Sequence, residues 1–258
     1  MGFEQFKDLE EYCKKEYATA DSIIHRFEHI TRTAAGAVWF VKMRGGTQRQ
    51  QELAYVAGLL HDIVRPNTEE IDHAIASASK AEIILKKFNF PAAEIPLVVE
   101  AVRDHRKKPA EWHSIMHESV FLADKILEQM GPYVVFRRCM YAGELKDYVK
   151  MEFKEAIEKR FAAASKKTEK PFFPEWSLGL YDYLREFEMD FLKEFLQGQK
   201  WALNLGEKMF QSGREKKLSL DEAIRKYASV AKKDGEYKDE TLLYIDGKKF
   251  EEYEKLLG

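Results

Sequence analysis

The stretch LAYVAGLLHD, Leu53 to Asp62, decides how this chain folds. Eight uncharged residues run without a break and then end in an imidazole and a carboxylate. A run that apolar reads as a helix buried on most sides. Two ionisable groups at its end need something to offset their desolvation. A bound divalent cation is one such partner, because imidazole and carboxylate both ligate metals. A C-terminal aspartate also opposes the helix dipole, which makes a purely capping role for Asp62 uncomfortable.

Working outward, helical signals dominate on both sides. An amphipathic segment covers about residues 4–18. A second helix is expected from Ser22 to Met43, with Asp21 as N-cap and Gly45-Gly46 as its stop. Its stripe is Ile23, Phe27, Ile30, Ala34, Ala37 and Val41, and His29 and Arg32 lie one turn apart on it. The helix of the quoted stretch starts near Gln48, and Pro66-Asn67 marks the loop after it. A fourth helix begins near Asp72, and a fifth ends at His105. A loop follows at Lys107-Lys108-Pro109. A sixth runs from Ser114 to Met130 and stops at Gly131-Pro132. Further helices are expected up to Ala164, at Tyr181–Phe195, at Trp201–Phe210 and at Ser219–Tyr227. The last opens with a Ser219/Glu222 capping box. Leu242-Leu243-Tyr244-Ile245 before Asp246-Gly247 reads as a short strand and hairpin turn. The fold class is therefore all-α, a multi-helix globule with one short hairpin. Residues 1–140 form its core and residues 141–258 a helical extension packed on it.

Composition narrows the function. The chain has 258 residues and a formal net charge of -2, so no global field favours nucleic acid or an anionic membrane. The basic cluster Arg103–Lys108 is short and lacks interleaved aromatics, and reads as a rim that attracts phosphate. Apolar stretches fall well below the roughly 20 residues of a membrane span. The opening MGFEQFKDLEEYCKKEY has no apolar signal core, and Phe6 stands where a myristoylation motif needs Ser or Thr. Cys13 and Cys139 are expected as free thiols, and the location as cytoplasmic.

Candidate ligands recur at inward-facing positions of successive helices: His29, His61, Asp62 and Asp124. Asp124 shares a helix face with Val120 and Leu127, where an unpaired carboxylate would cost several kcal/mol. This set of nitrogen and oxygen donors suits Mn, Fe, Co, Ni or Zn, and Mg less well. His73 and His105 extend the series. Each has an ordinary use taken singly: His29 as a packed histidine, Asp124 paired with Lys125, Arg32 in an ion pair. His25, His113 and His117 stay with such readings. No glycine-rich phosphate loop is present.

The order His29, His61-Asp62, His73, His105, Asp124 resembles the HD superfamily of metal-dependent phosphohydrolases. The local strings are similar too: FEHITRTA, AGLLHDIVR, DHAIASASKAEIIL, VVEAVRDH and FLADKIL. The likeness covers about residues 21–137 and is nearest to small single-domain HD hydrolases. It implies that His29, His61, Asp62 and Asp124 bind a primary divalent metal ion. It implies a catalytic part for Asp62, His73 and His105, the two histidines binding a second metal or meeting phosphate. Arg65 falls where relatives carry a phosphate-binding lysine. Arg32 and Lys80 are further substrate-binding candidates. His105 is followed by Arg106-Lys107-Lys108 and not by acidic residues, which counts against a second tightly held metal. The implied activity is hydrolysis of a phosphate ester or anhydride of a small phosphorylated metabolite, a nucleotide first of all. A homodimer is compatible with this. The competing readings are a dinuclear-iron oxygenase and a non-catalytic, nucleotide-sensing module. No motif after residue 140 reports the substrate.

Overall fold

The computed structural model describes residues 3–19, 23–65, 72–107, 112–166 and 169–258. The Asp21 cap, the Pro66-Asn67 loop and the Lys108-Pro109 turn lie outside these residues. Among the described residues every regular element is a helix. The chain divides into two compact units.

The first unit comprises residues 1–21 and 25–128. It holds α1 (Lys7–Tyr17), α2 (Phe27–Met43), α3 (Gln48–Leu60), α4 (His73–Lys87), α5 (Ile95–Asp104) and α6 (Ile115–Leu122). Thr47 starts α3 with a capping box: its hydroxyl accepts from the Gln50 N–H, and the Gln50 side chain accepts from the Thr47 N–H. Leu53 to Leu60 are all buried, so α3 runs through the middle of this unit. It packs on α2 at very short range. A Cβ at Gly58 would lie 2.5 Å from the Ala34 Cα, which only glycine permits. Asp72 caps α4 by accepting from the Ala74 N–H at 2.9 Å.

The second unit comprises residues 22–24 and 129–258. It holds α7 (Gly131–Glu144), α8 (Phe153–Ser165), α9 (Leu178–Leu196), α10 (Lys200–Glu215), α11 (Leu220–Lys226), α12 (Lys232–Ile245) and α13 (Phe250–Glu254). Helix α7 is buried at nearly every position and packs against α8, α9, α10 and α12. Gly143 and Gly213 let α7 and α10 touch backbone to backbone; a Cβ at Gly213 would sit 1.9 Å from the Met140 carbonyl oxygen.

Three expectations are corrected. The second helix starts at Phe27 and not at Ser22, because Ile23 and Ile24 belong to the other unit. There the Ile23 N–H donates to the Glu144 carboxylate at 2.8 Å. The helix from Ser114 keeps α geometry only to Leu122 and widens into a π turn over Ala123–Leu127. The expected hairpin at Leu242–Gly247 is the end of α12. Its Asp-Gly pair is a helix stop: Gly247 is left-handed at φ +70°, its N–H donates to Tyr244, and the Lys248 N–H donates to Leu243. A four-residue apolar run has no period long enough to separate strand from helix.

Gly58→Ala should drive a methyl into the α2 backbone and destabilise the protein by about 1–3 kcal/mol. Urea denaturation reads this; an unchanged midpoint would show that the two helices are not held so close.

Candidate metal centre

Four helices and one π turn deliver the donors. α2 carries His29, α3 ends at His61-Asp62, α4 opens with His73, α5 ends at His105, and the π turn presents Asp124. His29, His61, Asp62, His105 and Asp124 are buried, whereas the His73 side chain is 21% exposed. Two three-donor groups result, each with its ligand atoms within 4.8 Å of one another: His29, His61 and Asp124, and Asp62, His73 and His105.

Asp62 lies between the groups. Its Oδ2 is 3.5 Å from His61 Nε2 and 4.0 Å from His29 Nε2, and its Oδ1 is 3.4 Å from His73 Nε2 and 3.8 Å from His105 Nε2. His29 Nε2 is 3.9 Å from Asp124 Oδ1. Ligands about 2.1 Å from a common cation stand roughly 3.0–3.4 Å apart when adjacent and about 4.2 Å when opposite, so these separations suit one.

The imidazoles are oriented for this. His61 Nδ1 donates to the Gly58 carbonyl at 2.8 Å and His105 Nδ1 to the Val102 carbonyl at 2.6 Å, each the carbonyl three residues back. His29 Nδ1 donates to Glu128 Oε2 at 2.8 Å. Each bond assigns the proton to Nδ1 and turns the Nε2 lone pair inward. His61 Nε2 and Asp62 Oδ1 are fully buried and make no hydrogen bond, a costly condition that a cation would relieve. The residues present fit a divalent metal ion.

The electrostatics agree. Burial is the largest influence on Asp62 and pushes its carboxyl up. Arg65 and the surrounding imidazoles outweigh it and hold the group well below the usual carboxylate range. Asp124 behaves likewise, with Lys125 leading the opposition to burial. Burial lowers His105 to about 3, helped by His61, and lowers His73 to about 4. Both stay neutral near pH 7 and keep a lone pair for bonding.

The other candidates are placed differently. The Arg65 guanidinium bonds Asp62 Oδ2 directly, with its side chain 36% exposed. Arg32 donates from Nε to Glu128 Oε1 at 2.9 Å. Lys80 forms an ion pair with Glu16 of α1, outside the imidazole–carboxylate cluster. His25 is buried edge-on to His29, with ring centres 5.8 Å apart. His117 Nδ1 accepts from the His113 backbone N–H at 3.2 Å.

Glu128 is one residue that sequence reasoning missed. It is fully buried, clamps both His29 and Arg32, and is held down at about 2; burial opposes this, and Arg32 and His29 overcome it. The π turn sets it there. Its N–H donates five residues back to the Ala123 carbonyl, the bond of a π turn. The available signal was a carboxylate four residues after Asp124, facing the His29/Arg32 pair. Tyr17 was missed as well; its hydroxyl donates to the Leu59 carbonyl at 3.0 Å, and the Asp62 charge helps burial hold it protonated.

Comparison with known proteins agrees with this geometry. Residues 26–129 match the HD domain family. The crystal structure of Bacillus subtilis YpgQ in complex with ADP is similar, with a TM-score of 0.57 at 17% identity over 76% of this chain and 95% of YpgQ. At that identity the likeness speaks for the fold alone. No curated protein matches in sequence. No helix among the described residues is long and apolar enough to cross a membrane.

Glu128→Gln should loosen His29 without touching a donor atom at the site, and so lower divalent-metal affinity by about 10–100-fold. Competition with a chelating dye measures this, and equal affinity would remove Glu128 from the site.

Proposed function

We propose that the chain is a metal-dependent phosphohydrolase that cleaves a phosphate ester or anhydride of a small metabolite, a nucleotide in the first instance. The observation that carries this is Asp62, a buried carboxylate with imidazoles around both oxygens and a half-exposed arginine bonded to one of them. The HD domain supports it, as does the ADP held by the similarly folded YpgQ.

His29, His61, Asp62 and Asp124 would hold a divalent cation, with His73 and His105 available to a second. The nitrogen-rich donor set favours Mn, Fe, Co, Ni or Zn over Mg. Such an ion lowers the pKa of water and draws charge from a phosphoryl oxygen when bound. The chain supplies the rest. Arg65 reaches from Asp62 toward solvent and offsets charge on the transferring group. His73 is partly exposed and neutral at pH 7, so its Nε2 can take up a proton during the reaction. The backbone carbonyls of Gly58 and Val102 keep His61 and His105 in one tautomer throughout.

A dinuclear-iron oxygenase is the second reading, favoured by the division of six donors into two groups of three around Asp62. Elemental analysis and turnover separate the two. A hydrolase releases phosphate from nucleotides with added manganese and stops with chelator. An oxygenase retains two irons and consumes dioxygen.

Asp62→Asn should lower turnover by about 100-fold or more, since the residue serves both groups. Arg65→Ala should lower kcat/KM by about 100-fold while leaving the metal content intact. Phosphate release that persists in fully metal-free protein would end the hydrolase reading.

A further inference from the structure

Two basic side chains meet the two carboxylates of the candidate metal centre. The Arg65 guanidinium bonds Asp62 Oδ2, and Lys125 Nζ donates to Asp124 Oδ2 at 2.6 Å. Burial is the largest influence on both carboxyls, and these two cations lead the opposition to it. They differ in which oxygen they take.

Lys125 takes Oδ2 of Asp124, while Oδ1 faces His29 Nε2 at 3.9 Å. That carboxylate is held from one side and presented from the other. Arg65 takes the oxygen of Asp62 that itself faces imidazoles. Asp62 Oδ2 is 3.5 Å from His61 Nε2 and 4.0 Å from His29 Nε2. His29 and His61 belong to the same three-donor group as Asp124. A cation drawn to that group meets Asp62 at the oxygen that Arg65 holds. A guanidinium and a divalent cation at one carboxylate oxygen repel each other, most strongly where little water intervenes. Arg65 can move aside: its side chain is 36% exposed against 2% for Asp62, so it turns to solvent without repacking the core.

We propose that Arg65 contests Asp62 Oδ2 with the cation and so sets the affinity of the metal centre. With no cation held, the guanidinium supplies the counter-charge of Asp62. When a cation takes over that task, Arg65 is released, and its planar fork becomes available to an oxyanion. One side chain thereby links cation binding to phosphate binding. The inference deepens the proposed function and rests on its metal centre.

Manganese(II) affinity of the full chain, read by competition with a chelating dye, tests it. Arg65→Met should bind the ion about tenfold or more tightly than the parent. Lys125→Met removes the same charge from the other carboxylate and should gain much less, or lose affinity. Equal affinity of parent and Arg65→Met would overturn the proposal. So would an equal gain in both variants, which shows only the loss of a nearby charge. Thermal unfolding gives an independent reading. Metal-free Arg65→Met should melt below the parent, because Asp62 has lost its counter-charge, and the two should melt together once manganese is saturating. A Tm deficit that persists unchanged at saturation shows that Arg65 stays on Asp62, and the proposal fails. Should Arg65→Met not fold without metal, Arg65→Gln keeps an N–H donor without the charge and carries the same comparisons. No manganese binding by parent or variants would remove the metal centre and this inference together. Binding without the Arg65 gain removes the inference alone.

Discussion

The buried charge of Asp62 is the constraint around which the first unit is arranged. A carboxylate 2% exposed at the end of an apolar helix is sustained only by what surrounds it. Arg65 bonds one oxygen, and imidazoles from α2, α3, α4 and α5 stand around both. Burial keeps His73 and His105 neutral near pH 7, so each offers a lone pair. Carboxylates and lone pairs pointed at one another in a dry site could hold a cation. This is why the same residues look unfavourable as a folded core and sensible as a ligand set.

Local backbone features bring the donors within reach. Gly58 lets α3 lie against α2 at Ala34, and that approach sets His29 and His61 with ring centres 5.4 Å apart. Gly36 performs a similar service on the opposite side of α2, where a Cβ would lie 2.7 Å from Leu127. The π turn at Ala123–Leu127 then places Asp124 at the ligand group and Glu128 behind His29. The outer layer of hydrogen bonds is thus built from the same turns that supply the ligands.

The second unit treats charge in the opposite sense. There two guanidinium groups, Arg138 and Arg185, meet the buried Glu188, which is itself pushed up by burial against their pull. Glu188 has its counter-charges in place, whereas the donors around Asp62 could take a cation. Both follow from one rule, that ions removed from water must meet a counter-charge.

Much of this was legible in the residues alone. Helical periods and caps located most helices, and the capping box at Ser219 and Glu222 is formed as read. The series from His29 to Asp124 could be picked out as candidates because metal ligands are drawn from a few residue types, and the structure brings these side chains together. Glu128 could not be recognised, because its role depends on a π turn that no local pattern announces. The ion pair of Lys80 with Glu16 could not be read either, since a shared helix face does not tell which residue of another helix stands beside it. The strand at Leu242–Ile245 failed because a short apolar run is ambiguous until the buried face of Tyr237, Thr241 and Tyr244 shows its period. Sequence by itself determined the all-helical class and the identity of the donors, since both are written in spacing along one chain. Tertiary structure alone decided the two three-donor groups, the clamp on His29 and the sharing of Glu188 by Arg138 and Arg185. Those depend on distances between segments far apart in sequence, and only packing sets them.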